Sequence, residues 1–255
     1  SNDIVGFGSV LEAGSNIYAA AGSPLSNSNI GYVHILRRNQ FGSFYVDQAL
    51  AAPGHDANGK FGNDIAISND GKWMFVGQPG VDKVQVYQFI EIDEEGLFAI
   101  AENTVGDGIT TTFTLATTPT SIYELKVIVG NKLMIPFKEY TISGDEIIFT
   151  TAPGVVEISI VRNNYFDFIT TLTGTASTNF GHKVLTSTDA VQIIVSAPDE
   201  NDGTIRTFNR SIENLVADGT TNRFVTSLEP SDLGRNQISV DGNTTNDATV
   251  VLTSS

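Results

Sequence analysis

A Phe-Gly step followed 17 or 18 residues later by a proline occurs three times in this 255-residue chain, and no other feature restricts its fold as strongly. The copies run from Phe7-Gly8 through Gly22-Ser23-Pro24 to Tyr32-Val33-His34-Ile35-Leu36, from Phe61-Gly62 through Gly77-Gln78-Pro79 to Val84-Gln85-Val86-Tyr87-Gln88-Phe89, and from Phe180-Gly181 through Ser196-Ala197-Pro198 to Thr204-Ile205-Arg206-Thr207-Phe208. Short runs rich in Val, Ile, Phe and Tyr lie between Gly, Asn, Asp and Ser turns, and no long stretch keeps helical spacing, so each copy reads as strand, turn, strand, turn, strand. Phe44-Tyr45-Val46 and Tyr165-Phe166-Asp167-Phe168-Ile169, each ahead of the next Phe-Gly, supply a fourth strand. A four-stranded antiparallel unit that recurs and buries its apolar faces against its neighbours is the pattern of a propeller blade.

The repeats are unevenly spaced. The first two Phe-Gly steps are 54 residues apart and the next two 119, an excess of 65. Residues 97–164 carry a different grammar: Asp107-Gly108, a Thr-rich strand through Phe113-Thr114-Leu115, Pro119, Leu125-Lys126-Val127-Ile128-Val129, a Gly130-Asn131 turn, then Tyr140-Thr141-Ile142 and Ile147-Ile148-Phe149. Asp218-Gly219, Phe224 and Pro230 repeat Asp107-Gly108, Phe113 and Pro119 at a constant offset of 111, continuing through Gln237-Ile238-Ser239-Val240 and Asp241-Gly242-Asn243. The expected fold is all-β: three visible blades in an incomplete ring, an inserted small antiparallel β module, and a second, partial copy of that module at the C-terminus. The expected boundaries are 1–96 for blades one and two, 97–164 for the inserted module, 165–213 for the completion of blade two and the third blade, and 214–255 for the shorter module copy.

Composition excludes several classes. There is no cysteine, hence no disulfide, thiolate metal site or cysteine nucleophile. The formal charge of −15 opposes binding to phosphate backbones, so no nucleic-acid partner is expected. No apolar run approaches the roughly 20 residues of a spanning helix, and Ser1-Asn2-Asp3 lacks a signal-peptide pattern, so no membrane insertion is expected. Because the chain starts without Met and in mid-pattern, it is read as an excerpt or processed piece of a longer polypeptide.

Phe61-Gly62-Asn63-Asp64-Ile65-Ala66-Ile67-Ser68 leading to Val76-Gly77-Gln78-Pro79-Gly80 resembles the FG-GAP repeat, the blade unit of integrin-α-type β-propellers, and Leu50-Ala51-Ala52-Pro53-Gly54 with Lys60 resembles the lead-in of bacterial and viral members. Asp107-Gly108-Ile109-Thr110-Thr111-Thr112-Phe113-Thr114-Leu115 and Tyr140-Thr141-Ile142-Ser143-Gly144 resemble small β modules of tailed-phage fibre and other virion proteins. Two departures matter. Three blades cannot close a ring, for which propellers typically use four to eight. Integrin-type blades often carry an Asp-rich calcium loop, where this chain has only Ala13-Gly14-Ser15-Asn16, Ser68-Asn69-Asp70-Gly71 and Ser187-Thr188-Asp189-Ala190, read as tight hairpin turns with too few oxygen ligands.

Candidate chemistry is sparse. Asp199, Asn201 and Asp202, in the densest acidic cluster, are a weak candidate for calcium, the competing reading being an Asp-Gly hairpin turn; no other cofactor is expected. His55-Asp56-Ala57-Asn58-Gly59 is a weaker candidate of the same kind. His34, His55 and His182 fall in different repeat contexts and form no metal-ligand spacing. No Gly-x-Ser-x-Gly elbow is present, so no catalytic residue is assigned and no enzyme is expected. Trp73, Tyr87 and Phe89 could form a sugar-stacking platform but are read as core residues.

The resemblance implies a phage virion structural protein of the tail or fibre, acting in assembly or host attachment, with other virion proteins or a host-surface glycan or protein as partners. The unclosed repeats also suggest a homotrimer. A bacterial cell-surface or secreted adhesin is the first rival, and a glycan-degrading enzyme the second. No binding residue is singled out, because recognition on such a scaffold gathers on variable loops.

Overall fold

The computed structural model describes residues 10–13, 18–39, 41–92, 100–209, 239–240 and 243–244. Phe7-Gly8, the turn at Gly14-Ser15-Asn16, the acidic linker Asp93-Glu94-Glu95, Leu97, and Asp218-Gly219, Phe224, Pro230, Gln237 and Ile238 lie outside the described residues. What is described is all-β, built from antiparallel sheets with only short helical turns between strands and no closed barrel.

The first sheet is a meander of β1 (Val10–Ala13), β2 (Tyr18–Ser23), β3 (Tyr32–Arg38) and β4 (Phe44–Leu50), in that spatial order. The second starts with β5 (Ile65–Ile67), β6 (Trp73–Gln78) and β7 (Lys83–Ile90). The chain then leaves this sheet. Residues 100–162 form β8 (Ile100–Val105), β9 (Thr112–Thr114), β10 (Leu125–Val129), β11 (Lys132–Leu133), β12 (Tyr140–Ser143), β13 (Glu146–Phe149) and β14 (Glu157–Arg162), arranged as a four-stranded sheet in the order β11-β10-β14-β8 and a three-stranded sheet in the order β12-β13-β9. It returns as β15 (Tyr165–Thr173), which pairs along β7 and completes the order β15-β7-β6-β5. A third sheet holds β16 (Val184–Thr186), β17 (Gln192–Ala197) and β18 (Thr204–Asn209). Finally, β19 (Ser239–Val240) and β20 (Asn243–Thr244) make a hairpin whose pairs, Ser239 with Thr244 and Val240 with Asn243, each lie 111 residues beyond Ile128 with Leu133 and Val129 with Lys132 of β10 and β11.

The second sheet is apolar on both faces because both are covered. Successive strand residues point to opposite sides, so Met74, Val76 and Tyr87 join the core shared with Tyr18, Ala20, Val33 and Ile35 of the first sheet, while Trp73, Phe75, Val84 and Val86 join the core shared with Val184, Ile193 and Val195 of the third. Each such side chain contributes about 1.5–3 kcal/mol on full burial, against roughly 0–1 kcal/mol for an exposed ion pair. These inter-sheet cores therefore dominate the stacking. The first strands of the three sheets lie next to one another, β5 touching both β1 and β16.

The Phe-Gly step is the joint between sheets. Phe61 and Phe180 are fully buried, and the following Gly62 and Gly181 take φ of 86° and 89°, a left-handed conformation that favours glycine. The Gly62 N–H donates to Gly77 O within its own unit (3.1 Å), whereas its carbonyl points at the preceding unit, where a β-carbon on Gly22 would lie 2.1 Å from it. Gly77 and the Gly181 carbonyl repeat this approach at 2.1 Å. In the third sheet the corresponding position is Ser196, and the face that would receive a following unit leaves Leu185 and Ile205 exposed.

The segment between β7 and β15 straddles the outer edge of the first sheet. Gln48 on β4 donates through Nε2 to the carbonyls of Tyr123 (3.0 Å) and Phe166 (3.1 Å) and accepts from Phe166 N through Oε1 (2.9 Å), clasping three elements at once. Tyr123 Oη donates to Ala51 O at 2.8 Å. Asp47 and Lys126 form a buried ion pair at 2.7 Å. Burial holds the Lys126 ammonium below the usual lysine range, an effect the Asp47 carboxylate opposes. Between the second and third sheets, Asp82 on the turn after Pro79 accepts from the backbone N–H groups of Ser177 (2.7 Å), Thr178 (2.9 Å) and Phe180 (3.1 Å), and Asp64 accepts from Val184 N (2.7 Å) and Lys183 Nζ (3.0 Å).

Candidate interaction surfaces

The hairpins read from sequence as tight turns have matching internal chemistry. Ser68 Oγ donates to Asp70 Oδ1, which also accepts from Lys72 N, while Trp73 N donates to Ser68 Oγ. Ser187, Asp189, Val191 and Gln192 repeat these three bonds. Asp70 and Asp189 are thus turned inward on their own turns.

The calcium candidates lie on the turn joining β17 to β18. Asn201 and Asp202 take φ of 47° and 63°, the left-handed geometry of a tight turn, and Asp199 accepts from the Asn179 side-chain amide. Neighbouring Glu200 is held below the usual carboxylate range by the hydrogen bond from Arg206, with Thr175 Oγ1 assisting. Among the described residues, no group of three or more His, Cys, Asp or Glu side chains is placed to hold a metal ion. Asp56 of the weaker candidate loop pairs with Lys83 Nζ at 3.0 Å. The histidines fall on separate features: His34 on β3, His55 with Nε2 3.3 Å from Tyr32 Oη, and His182 with its carbonyl accepting from Asn63 Nδ2. Burial lowers the pKa of both His34 and His55, and Lys138 adds to the effect at His55. Trp73 and Tyr87 are buried in the cores on opposite faces of the second sheet and Phe89 packs against the one that holds Tyr87, so none offers a free platform.

Two exposed apolar clusters stand out instead. At the β3–β4 turn, Phe41 is 83% exposed, and Phe44, Tyr45 and Val46 are exposed beside it. Arg38 lies directly across the strands from Phe44, and Arg37 from Tyr45. Asn39 Oδ1 shapes the turn by accepting from Phe41 N (2.9 Å) and Ser43 N (3.0 Å), and Arg38 Nε donates to Gly42 O (3.3 Å). Residues 37–46 contain both arginines and no acid, which makes this tip positive on a strongly acidic chain. Arg37 also lies over the ring of Tyr18, 5.9 Å from its centroid. Burial raises the Tyr18 hydroxyl pKa, with Arg37 opposing the rise.

The second cluster joins the β8–β9 and β13–β14 loops. Gly106 N donates to Val156 O and Gly108 N to Pro153 O, both at 2.9 Å, so the two loops are stitched backbone to backbone. They display Ile109 (84% exposed), Val155 (78%), Val105 and Val156. Asp107 accepts from Ile109 N (2.8 Å), Thr110 N (2.6 Å) and Thr110 Oγ1 (2.7 Å), bonds that lower its carboxyl pKa to about 2, those from Thr110 weighing most. With exposed Glu157 next to Val156, this tip is negative.

Neither cluster was singled out from sequence. The signal existed for the first: Arg37-Arg38 is the only adjacent basic pair in the chain, and three aromatic residues follow within seven positions. For the second there was little to read, because the β8–β9 and β13–β14 loops are brought together only through pairing of strands far apart in sequence.

Compared with known proteins, the chain matches no family model and no curated sequence.

Proposed function

We propose that the chain is a structural component of a phage virion, of the tail or fibre, in which propeller-type blades form a rigid scaffold and the inserted module meets neighbouring subunits or the host surface. The observation that carries this reading is the pairing of a doubly buried sheet stack with exposed apolar clusters confined to turns. A stack held by inter-sheet cores keeps its turns in fixed positions, and apolar side chains displayed there favour binding over chemistry. The four-strand order of the first two sheets, the mutual contact of their first strands and the repeated Phe-Gly joint support blades, and the 111-residue offset of the β10–β11 and β19–β20 pairings supports a repeated module. Calcium at Asp199, Asn201 and Asp202 plays no part in this reading.

The test is immunogold electron microscopy with antibodies to this chain on particles and cells from a lysed source culture. Label on tails or fibres is the expected result. Label on intact cell surfaces would replace it with the adhesin reading, and turnover of a polysaccharide, lost when one Asp or Glu becomes its amide, would replace it with an enzyme.

A further inference from the structure

The two exposed clusters are complementary. One displays Phe41, Phe44, Tyr45 and Val46 with Arg37 and Arg38, and the other displays Val105, Ile109, Val155 and Val156 with Asp107 and Glu157. They also lie at opposite ends of the contact between β4 and β10. Lys126 meets Asp47, while Leu133 packs against the small core that holds Ala49 and Ala51, so β10 and β11 advance along β4 away from the β3–β4 turn. Gly130, just after β10, donates to Glu157 O, and Glu157 pairs with Val105, which places the second cluster at the end remote from Phe41.

We infer that the β3–β4 tip of one copy of this chain docks on the β8–β9 and β13–β14 loop tip of a second copy, head to tail. The contact is heterologous, using a different patch on each side, so it closes only as a ring of at least three copies or grows as an open filament. Aromatic and arginine side chains are those that dominate binding at such contacts, and the opposite charge of the two tips sets their orientation and repels like against like. The choice of a second copy as occupant rests on this match, since among the described residues the chain itself carries both the basic, aromatic tip and the acidic, aliphatic surface that complements it. The inference deepens the assembly reading above and depends on it for its biological meaning, though not for its test.

The test is light scattering and sedimentation across protein and salt concentration on the full chain and two variants: Phe41→Ser with Phe44→Ser, and Ile109→Ser with Val155→Ser. All four residues are exposed, so unchanged circular dichroism and thermal midpoint verify folding. The wild type is expected to gain mass with concentration and lose it with salt, and each variant to associate at least about tenfold more weakly. An equimolar mixture of the two variants is expected to form a 1:1 complex and nothing larger, because each supplies the surface the other lacks. A wild type that stays monomeric, a variant that still assembles alone, or a mixture that does not associate overturns the inference. A monomer that labels virions would sink the contact while leaving the assembly reading standing; an assembling chain absent from virions would do the reverse.

Discussion

Gly77 faces the carbonyl oxygen of Gly181 so closely that a β-carbon on Gly77 would lie 2.1 Å from it, and Gly22 bears the same relation to Gly62 one sheet earlier. Because the obstacle is backbone, it cannot swing aside as a side chain would. Gly77→Ala is therefore expected to cost at least the roughly 1–3 kcal/mol typical of an overpacked core, seen as a lower urea midpoint. Ser196→Gly, at the corresponding position of the third sheet, is expected to stay within about 1 kcal/mol of the parent. Equal behaviour of the two would mean that the close approach does not hold the sheets together.

The Asp47–Lys126 pair is buried on both sides and joins β4 to β10. Lys126→Met alone leaves a carboxylate stranded out of water and is expected to cost about 3–5 kcal/mol, whereas adding Asp47→Leu recovers most of the loss. A double-mutant cycle by denaturant melts checks this; additive losses would show that the two groups act independently.

Asp82 fastens the segment before the third Phe-Gly by accepting from three backbone N–H groups. Asp82→Ala leaves these donors without their partner and is expected to cost roughly 2–4 kcal/mol. Asp82→Asn keeps one acceptor oxygen and should lose less. Hydrogen exchange should localise the extra opening to Ser177, Thr178 and Phe180, and protection unchanged there would rule the role out.

Asp107 offers a pH test. Its carboxyl is lowered from 3.8 to about 2 by hydrogen bonds from Thr110 and Ile109. A group depressed in the folded state stabilises fully above its unfolded value and loses that contribution as pH falls through its folded value. The loop contribution should therefore be intact above about pH 4 and vanish toward pH 2. A carboxyl carbon-13 titration should place the midpoint near the lower figure; a midpoint close to 3.8 would mean that the loop bonds do not form in solution.

The strand content was legible because the turns spell themselves out. Phe61-Gly62, Ser68 to Gly71, and Gly77-Gln78-Pro79 mark the ends of β5 and β6, and the alternation in Val84 to Phe89 marks β7. The return of the chain at Tyr165 as the partner of β7 was also readable, from its place ahead of the next Phe-Gly. β8 and β14 were not. Ala101-Glu102-Asn103-Thr104 is too polar to announce a strand, and Glu157 to Arg162 takes its place only by pairing with β8 and β10. The joints were hidden for the same reason. Gln48 looks like any surface glutamine until the backbone of Phe166, 118 residues away, is brought to its amide. The aromatic tip at Phe41 lay in plain sight, but a turn between two strands says nothing about how far its side chains protrude.

One consequence follows from the way the chain leaves and rejoins the second sheet. Ile90 and Tyr165 are direct cross-strand partners, so a break that could have been bridged by a short turn holds two further sheets instead. The entropy of closing such an excursion grows only logarithmically with its length. Closure is therefore the smaller part of what holds the excursion in place: Gln48, Ala51 and the Asp47–Lys126 pair bind it across β4, so deleting it would strip the cover from the first sheet's edge as well as leave Ile90 and Tyr165 to be joined anew.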